Sequence, residues 1–218
     1  MADTDLARLA ASAGHTDAAK RLSRVDWLTT AIRIFVEEGV EAVRITRLAT
    51  ALDVTRGSFY WHFKDRDDLM GGLVAFWKEK NTTALVGATA EASSLAEGVL
   101  SFFESVIDDG KFDPRLDQAM RDWSRRAPEI REAVDEADAT RIKVLKAFFL
   151  KFGYSESEAY IRSRVAYYTQ IGYHALNVEE RLAERLQYLE EYYEIFTGVP
   201  LEPEAAAAFR ARHLPDGA

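Results

Sequence analysis

ITRLATALDVTRGSFYWHFKDRDDL, the stretch from Ile45 to Leu69, contains two short helices and a tight turn. Ile45, Leu48, Ala49 and Leu52 fall on one side of a helix that Thr46 can cap, and Asp53-Val54 makes the turn. Thr55 then caps a second helix running to about Phe63, and Asp65 with Asp68 opens a longer one through Leu69, Leu73, Phe76 and Trp77. This is the layout of a helix-turn-helix over roughly residues 46–63, in which the first residues of the second helix face base edges in a major groove. Val54, Ser58 or Phe59, and Trp61 or Phe63 are expected to point inward, leaving Thr55, Arg56, Gly57, Tyr60 and His62 toward the duplex. Arg56 can donate two hydrogen bonds to guanine O6 and N7, and Gly57 removes a side chain where backbone and DNA approach closely. Thr46, Thr55, Tyr60, His62 and Lys64 carry donors for phosphate oxygens, helped by the N–H groups at both helix starts. Trp61 and Phe63 are expected to be junction aromatics rather than direct contacts.

The same helical grammar extends in both directions. Ser23 with Asp26 forms a capping-box pattern, and Trp27, Leu28, Ala31, Ile34 and Phe35 recur at helical spacing until Gly39. Downstream, Ser94 with Glu97 opens a helix to about Asp108, Asp113-Pro114 another, and Pro128 a third ending at Gly153. Ser155 with Glu158 opens a long helix to about Asn177, Val178 to Phe196 forms the next, and a short one follows Pro203. The fold class is all-α: a mobile arm over 1–20, a three-helix head over 21–65, and a larger helical body over 66–218.

The net charge of −8 is uneven. Residues 1–65 hold nine Lys/Arg and nine Asp/Glu, so the whole excess of acid lies in 66–218, while 42–64 carries four bases (Arg44, Arg47, Arg56, Lys64) against Asp53. A locally basic segment on an acidic body suits a nucleic-acid head with a separate sensing or dimerising part, and disfavours a sequence-independent DNA packager. The absence of cysteine removes disulfides, thiolate nucleophiles and Cys-type zinc sites. His15, His62, His174 and His213 are widely separated and no nucleophile motif accompanies them, so neither a metal, a cofactor nor a catalytic set is expected. No apolar run is long enough to span a membrane and the N-terminus lacks a signal-peptide pattern, which implies a cytoplasmic location.

From about Arg24 to Leu69, including FVEEGV at Phe35–Val40, the VRIT of Val43–Thr46 and FYWHFK at Phe59–Lys64, the chain resembles the TetR family of transcriptional regulators. The resemblance implies base reading by Arg56, Gly57 and Tyr60 and phosphate clamps at Thr46, Thr55, His62 and Lys64. It also implies a homodimer on a palindromic double-stranded operator, usually as a repressor, with a ligand in the body altering the separation of the two heads. Activation, or regulation without a ligand, stays open. An all-α enzyme is the competing class.

For the body, Leu182, Leu186, Leu189, Tyr193 and Phe196 have the seam spacing of a helix packed on other helices, and Val165 and Gly172 lie on the preceding helix. With the family architecture these become the expected dimer interface, although an intramolecular core explains the spacing equally well. Trp77, Phe103, Trp123, Tyr168 and His174 are the candidate lining of a pocket for an apolar or aromatic small molecule, with Gln170 and Asn177 as further polar groups.

Overall fold

The computed structural model describes residues 22–107 and 111–214; the expected mobile arm over 1–20 lies outside them. The regular elements are all helical: α1 Arg24–Glu38, a 3-10 turn Val40–Ala42, α2 Ile45–Ala51, α3 Arg56–Phe59, α4 Arg66–Ala90, α5 Leu95–Ile107, α6 Pro114–Ser124, α7 Pro128–Lys151, α8 Glu156–Ala175, α9 Leu182–Gln187, α10 Leu189–Thr197 and α11 Pro203–His213. No strand occurs among the described residues.

Side-chain caps start many of these helices. Ser23 and Asp26 form a reciprocal capping box at α1, and Ser155 and Glu158 do the same at α8. The Asp113 carboxylate accepts from the Leu116 N–H at the start of α6, with Pro114 in the first turn where its missing donor costs nothing. At α5, Ser94 Oγ accepts from the Glu97 N–H at 3.1 Å.

Three expectations change. Thr46 does not cap α2: the cap position is Arg44, and the Thr46 carbonyl accepts from Thr50 Oγ1 inside the helix. The turn of α3 stops at Phe59, after which the chain coils through Tyr60–His62, with the Phe63 N–H still donating to the Phe59 carbonyl at 3.0 Å. Val178–Phe196 is not one helix: Asn177 adopts a positive φ of 49°, residues 178–181 are irregular, and Tyr188 separates α9 from α10.

The chain forms two compact units. One contains the described residues up to Asn81 with Asp113–Asp135, and the other contains Thr82–Phe112 with the residues from Glu136 onward. This division by compactness differs from the functional division expected at residue 65.

In the first unit, Trp27, Phe35, Leu48, Phe59, Phe63, Leu69, Leu73 and Trp77 are buried. Helix α6 joins it through Trp123, edge-on to Phe35 at 5.7 Å, and through Asp117. The Asp117 carboxylate accepts from the Trp77 indole at 2.8 Å and from Arg121 at 2.8 Å, and the Asn81 amide bridges both backbone groups of Asp113.

In the second unit the core is aromatic and includes Phe102, Phe103, Phe148, Phe149, Tyr167, Tyr193, Phe196 and Phe209. Leu186, Leu189 and Tyr193 are each only 3% exposed within this single chain and Leu182 is half-buried against the same core. The seam packs inside the protomer: Leu186, Leu189 and Tyr193 keep almost no surface to offer a partner, and Leu182 keeps part of its own. Gly98 is buried where a Cβ would meet the Phe148 ring at 2.1 and 2.5 Å, so only glycine admits that ring. Arg141, fully buried, donates to Tyr167 at 3.1 Å and Thr82 at 3.3 Å and lies 3.8 Å from Asp138. No helix among the described residues is long and apolar enough to cross a membrane.

Asp117→Ala removes the carboxylate that accepts from the Trp77 N–H and from Arg121 in the first unit. A loss of about 3 kcal/mol in urea unfolding is expected, against a change within about 0.5 kcal/mol for Gln118→Ala.

Candidate nucleic-acid interface

A four-residue helix does not hold itself, because one hydrogen-bonded turn does not repay the entropy of its nucleation. Helix α3 is held from beneath. Phe59 is fully buried, edge-on to Trp27 at 5.3 Å and stacked on Phe63 at 5.4 Å. The turn after α3 is gripped by Arg24 of α1. Its guanidinium donates to the His62 carbonyl at 2.7 Å and to Asp68 at 3.3 Å, and lies 4.0 Å above the Phe63 ring. Asp68 also accepts from the Lys64 N–H at 3.0 Å, and this bond, followed by the one from Arg24, holds its carboxyl below the ordinary range. Arg66 secures the other side, donating to the Val43 and Val40 carbonyls at 2.7 and 2.9 Å.

These contacts sort the cations of the head. Arg24 and Arg66 are staples, Arg44 lies on the Glu41 carbonyl, and Arg47 pairs with Glu38 at 2.7 Å. The Arg56 guanidinium and the Lys64 ammonium make no hydrogen bond or ion pair among the described residues, and both residues are exposed. Thr46, Thr55, Gly57 and Tyr60 are exposed as well, whereas His62 is half-buried with its carbonyl already engaged by Arg24. Thr55 makes no side-chain cap, so the opening N–H groups of α3 are not covered by it, and one turn offers local donors rather than a sizeable dipole. A Cβ added to Gly57 would meet only Thr55 Oγ1 at 3.7 Å, an ordinary contact. Nothing in the fold itself requires glycine there.

Trp61 corrects the sequence expectation. It is 87% exposed instead of packed at a helix junction, while Phe63 is buried as expected. The signal was present: Phe59 and Phe63 are four residues apart and share one side of a helical turn, which puts residue 61 on the opposite side.

The five candidate pocket residues do not gather at one place. Trp77 and Trp123 belong to the first unit, where the one is tied to Asp117 and the other to Phe35. Tyr168 is 48% exposed in a surface groove with Tyr160, Ile161, Arg164, Val165 and Thr169, because the residue beside it, Tyr167, takes the buried side of α8. Phe103 lines a cleft with Ile107, Gln170, Tyr173, Arg185, Leu186, Leu189 and Tyr192. His174 stacks on Phe112 at 5.7 Å and lines a smaller space with Leu85, Phe102, Tyr167, Gln170 and Ile171. Gln170 is common to both, and Asn177 ends α8 as an exposed residue. Arg185, Tyr173 and Tyr192 were not anticipated; an arginine one residue before Leu186 on an apolar stripe was the available hint.

Residues 28–73 match the family model for bacterial regulatory proteins, tetR family. The chain is similar to the HTH-type transcriptional regulator AcrR of Shigella flexneri, 48% identical over 46 residues, which are 21% of each chain. It is also similar to the probable acrEF/envCD operon repressor of Escherichia coli (strain K12), 37% identical over 61 residues, 28% of each. The match thus spans only 21% and 28% of the length of these two relatives. In fold, the chain resembles a TetR transcriptional regulator from Legionella pneumophila with a TM-score of 0.61 at 18% identity, covering 85% of this chain and 100% of that one.

Of the four tryptophans, Trp61 alone is expected to be quenched freely by acrylamide. Trp61→Phe should remove that fluorescence component and shift stability by no more than about 0.5 kcal/mol, as measured by steady-state quenching and thermal melting.

Proposed function

From the match of residues 28–73 to the tetR family of bacterial regulatory proteins, we propose that this chain is a sequence-specific DNA-binding transcriptional regulator, a homodimeric repressor of a palindromic operator that a small molecule releases. The observation that carries the reading is the allocation of charge at α3. Five arginines of this region, Arg24, Arg33, Arg44, Arg47 and Arg66, are engaged within the fold, while Arg56 and Lys64 stand exposed, the first beside a glycine with open space above it. In this role Arg56 reads a base edge, Gly57 lets the backbone come close, and Tyr60 and Trp61 reach the duplex from the turn after α3. Thr46, Thr55, His62 and Lys64 contact phosphates and fix register. The relatives' descriptions as a transcriptional regulator and an operon repressor support repression over activation.

A second copy is needed to read two half-sites about 34–36 Å apart. The exposed face of α8 supports a dimer: Ile161, Val165, Tyr168 and Gly172 recur at four, three and four residues, and Arg164 lies over the rings of Tyr160 and Tyr168 at 4.8 and 5.5 Å. Val165 and Gly172 keep the role assigned from the sequence, whereas Leu182, Leu186, Leu189 and Tyr193 give theirs to the protomer core. The cleft in the second unit lined by Phe103 supports a ligand that binds one arrangement of the dimer better than the other, as any release mechanism requires.

Selection of genomic fragments by the purified protein should yield a preferred palindrome. At fixed salt, Arg56→Ala is expected to cost about 1–3 kcal/mol of operator affinity and relax the preference, and Lys64→Ala to weaken all sites alike and lower the salt slope by about one. Gly57→Ala should fold as well as the parent or better by up to about 1 kcal/mol yet bind operator more weakly; undiminished binding would remove the close approach. Ile161→Glu should convert the dimer to monomers in sedimentation without lowering helix content, since its target is surface and not core.

A further inference from the structure

We infer that the cleft beside Arg185 is a site for a small organic monoanion, a carboxylate carried on an apolar or aromatic body. Its regulatory meaning rests on the ligand-response reading above.

The cleft is narrow: it has about 350 Å³ counting its open mouth but only about 20 Å³ of enclosed room, little more than a water takes, so the apolar body of a ligand lies along the mouth or parts the walls, which come from α5, α8, α9 and α10. Phe103, Ile107, Leu186 and Leu189 make it apolar, and its one cation is Arg185. The guanidinium donates to Gln170 Oε1 and lies 4.4 Å from the centre of the Tyr173 ring. Both partners are neutral. No carboxylate lies within ion-pair distance of it among the described residues; Glu180, exposed on the irregular segment before α9, acts only from afar. Burial pulls the Arg185 proton affinity down, the mark of a charge taken out of water without full compensation.

Three other buried or partly buried arginines sit beside acids, whereas Arg66 and Arg162 are met by backbone carbonyls. Buried Arg141 has Asp138, Arg121 has Asp117 at 2.8 Å, and partly buried Arg210 has Glu190. A guanidinium seated in apolar surroundings with only an amide and a ring is costly, and a bound anion offsets that cost. The cleft also holds a donor. Tyr173 and Tyr192 share a hydroxyl–hydroxyl bond of 2.6 Å, which uses one of their two protons and leaves the other to donate. The bond with Tyr192, then burial, pushes the Tyr173 hydroxyl up to about 12, so it stays protonated at neutral pH. One guanidinium fork with one hydroxyl proton suits the two oxygens of a carboxylate, and one positive charge among apolar walls suits a single negative charge better than a phosphate dianion.

The test uses the full-length dimeric protein and matched probes: cinnamate, cinnamamide and cinnamylammonium, with octanoate as an aliphatic acid, titrated calorimetrically at neutral pH. At least one acid should bind, with cinnamate at least about tenfold tighter than its amide or amine. Arg185→Gln should erase the preference for acid over amide, and Arg185→Lys should keep part of it. The comparison of acid with amide on the parent protein does not depend on any variant folding. Equal affinity for amide and acid, an acid preference intact in a folded Arg185→Gln protein, or no binding of either acid up to about 10 mM would overturn the site. Operator affinity, measured with and without bound acid, separates the two claims. Arg185-dependent acid binding that leaves operator affinity unchanged refutes ligand release while the anion site stands, and release by the amide as readily as by the acid refutes the anion site alone.

Discussion

The single turn of α3 stays folded because Phe59 is pinned beneath it. Burial of a phenylalanine side chain contributes about 1.5–3 kcal/mol, and each well-placed aromatic pair adds about 0.5–1.5 kcal/mol, a sum of the same size as the cost of starting one helical turn. Phe59 meets Trp27 from α1 and Phe63 from the coil that follows, so the short helix is fixed both to a distant helix and to its own downstream chain. Arg24 completes the clamp by tying the His62 carbonyl, the Phe63 ring and Asp68 to the first turn of α1. The positions of Arg56, Gly57 and Tyr60 follow from that arrangement.

Net charge is a poor guide to what this head offers a polyanion. Equal numbers of acids and bases in the first 65 residues suggest neutrality, yet Glu37 and Glu38 pair with Arg33 and Arg47, Asp26 and Asp65 serve helix starts, and Arg44 serves the backbone. What remains outward is a small, oriented set. The second unit repeats the logic in its interior, where Arg141 is provided with an internal acid and Arg185 is not. In both units the informative residue is the cation left over after structural needs are met.

Local rules were legible where a local interaction decides the outcome. Capping at Ser23, Asp113 and Ser155 depends on residues within three positions, and those helix starts stand where the sequence put them. The turn through Asp53, which has a φ of 54°, was legible for the same reason. What the sequence left open depended on partners far along the chain. The 182–196 spacing fits a helix buried against its own protomer as well as one buried against a copy, and only the observed packing of Leu186, Leu189 and Tyr193 distinguishes them. Tyr167 and Tyr168 are chemically alike, but one helical step of about 100° separates core from surface. The candidate pocket was drawn from aromatic residues, and in an aromatic core most rings are filling, so the side chain that marks the cleft was instead a charged one.

Phe148 occupies the volume that any side chain at position 98 would need, and it has little room to swing, wedged edge-on against Phe149 and Phe152 at 5.4 and 5.0 Å. Positions 98 and 148, fifty residues apart, are thereby locked into a shared inheritance. A lineage that acquires alanine at the first must trim the ring at the second, and the order matters, because shrinking the ring first opens a void whereas adding the methyl first creates a collision.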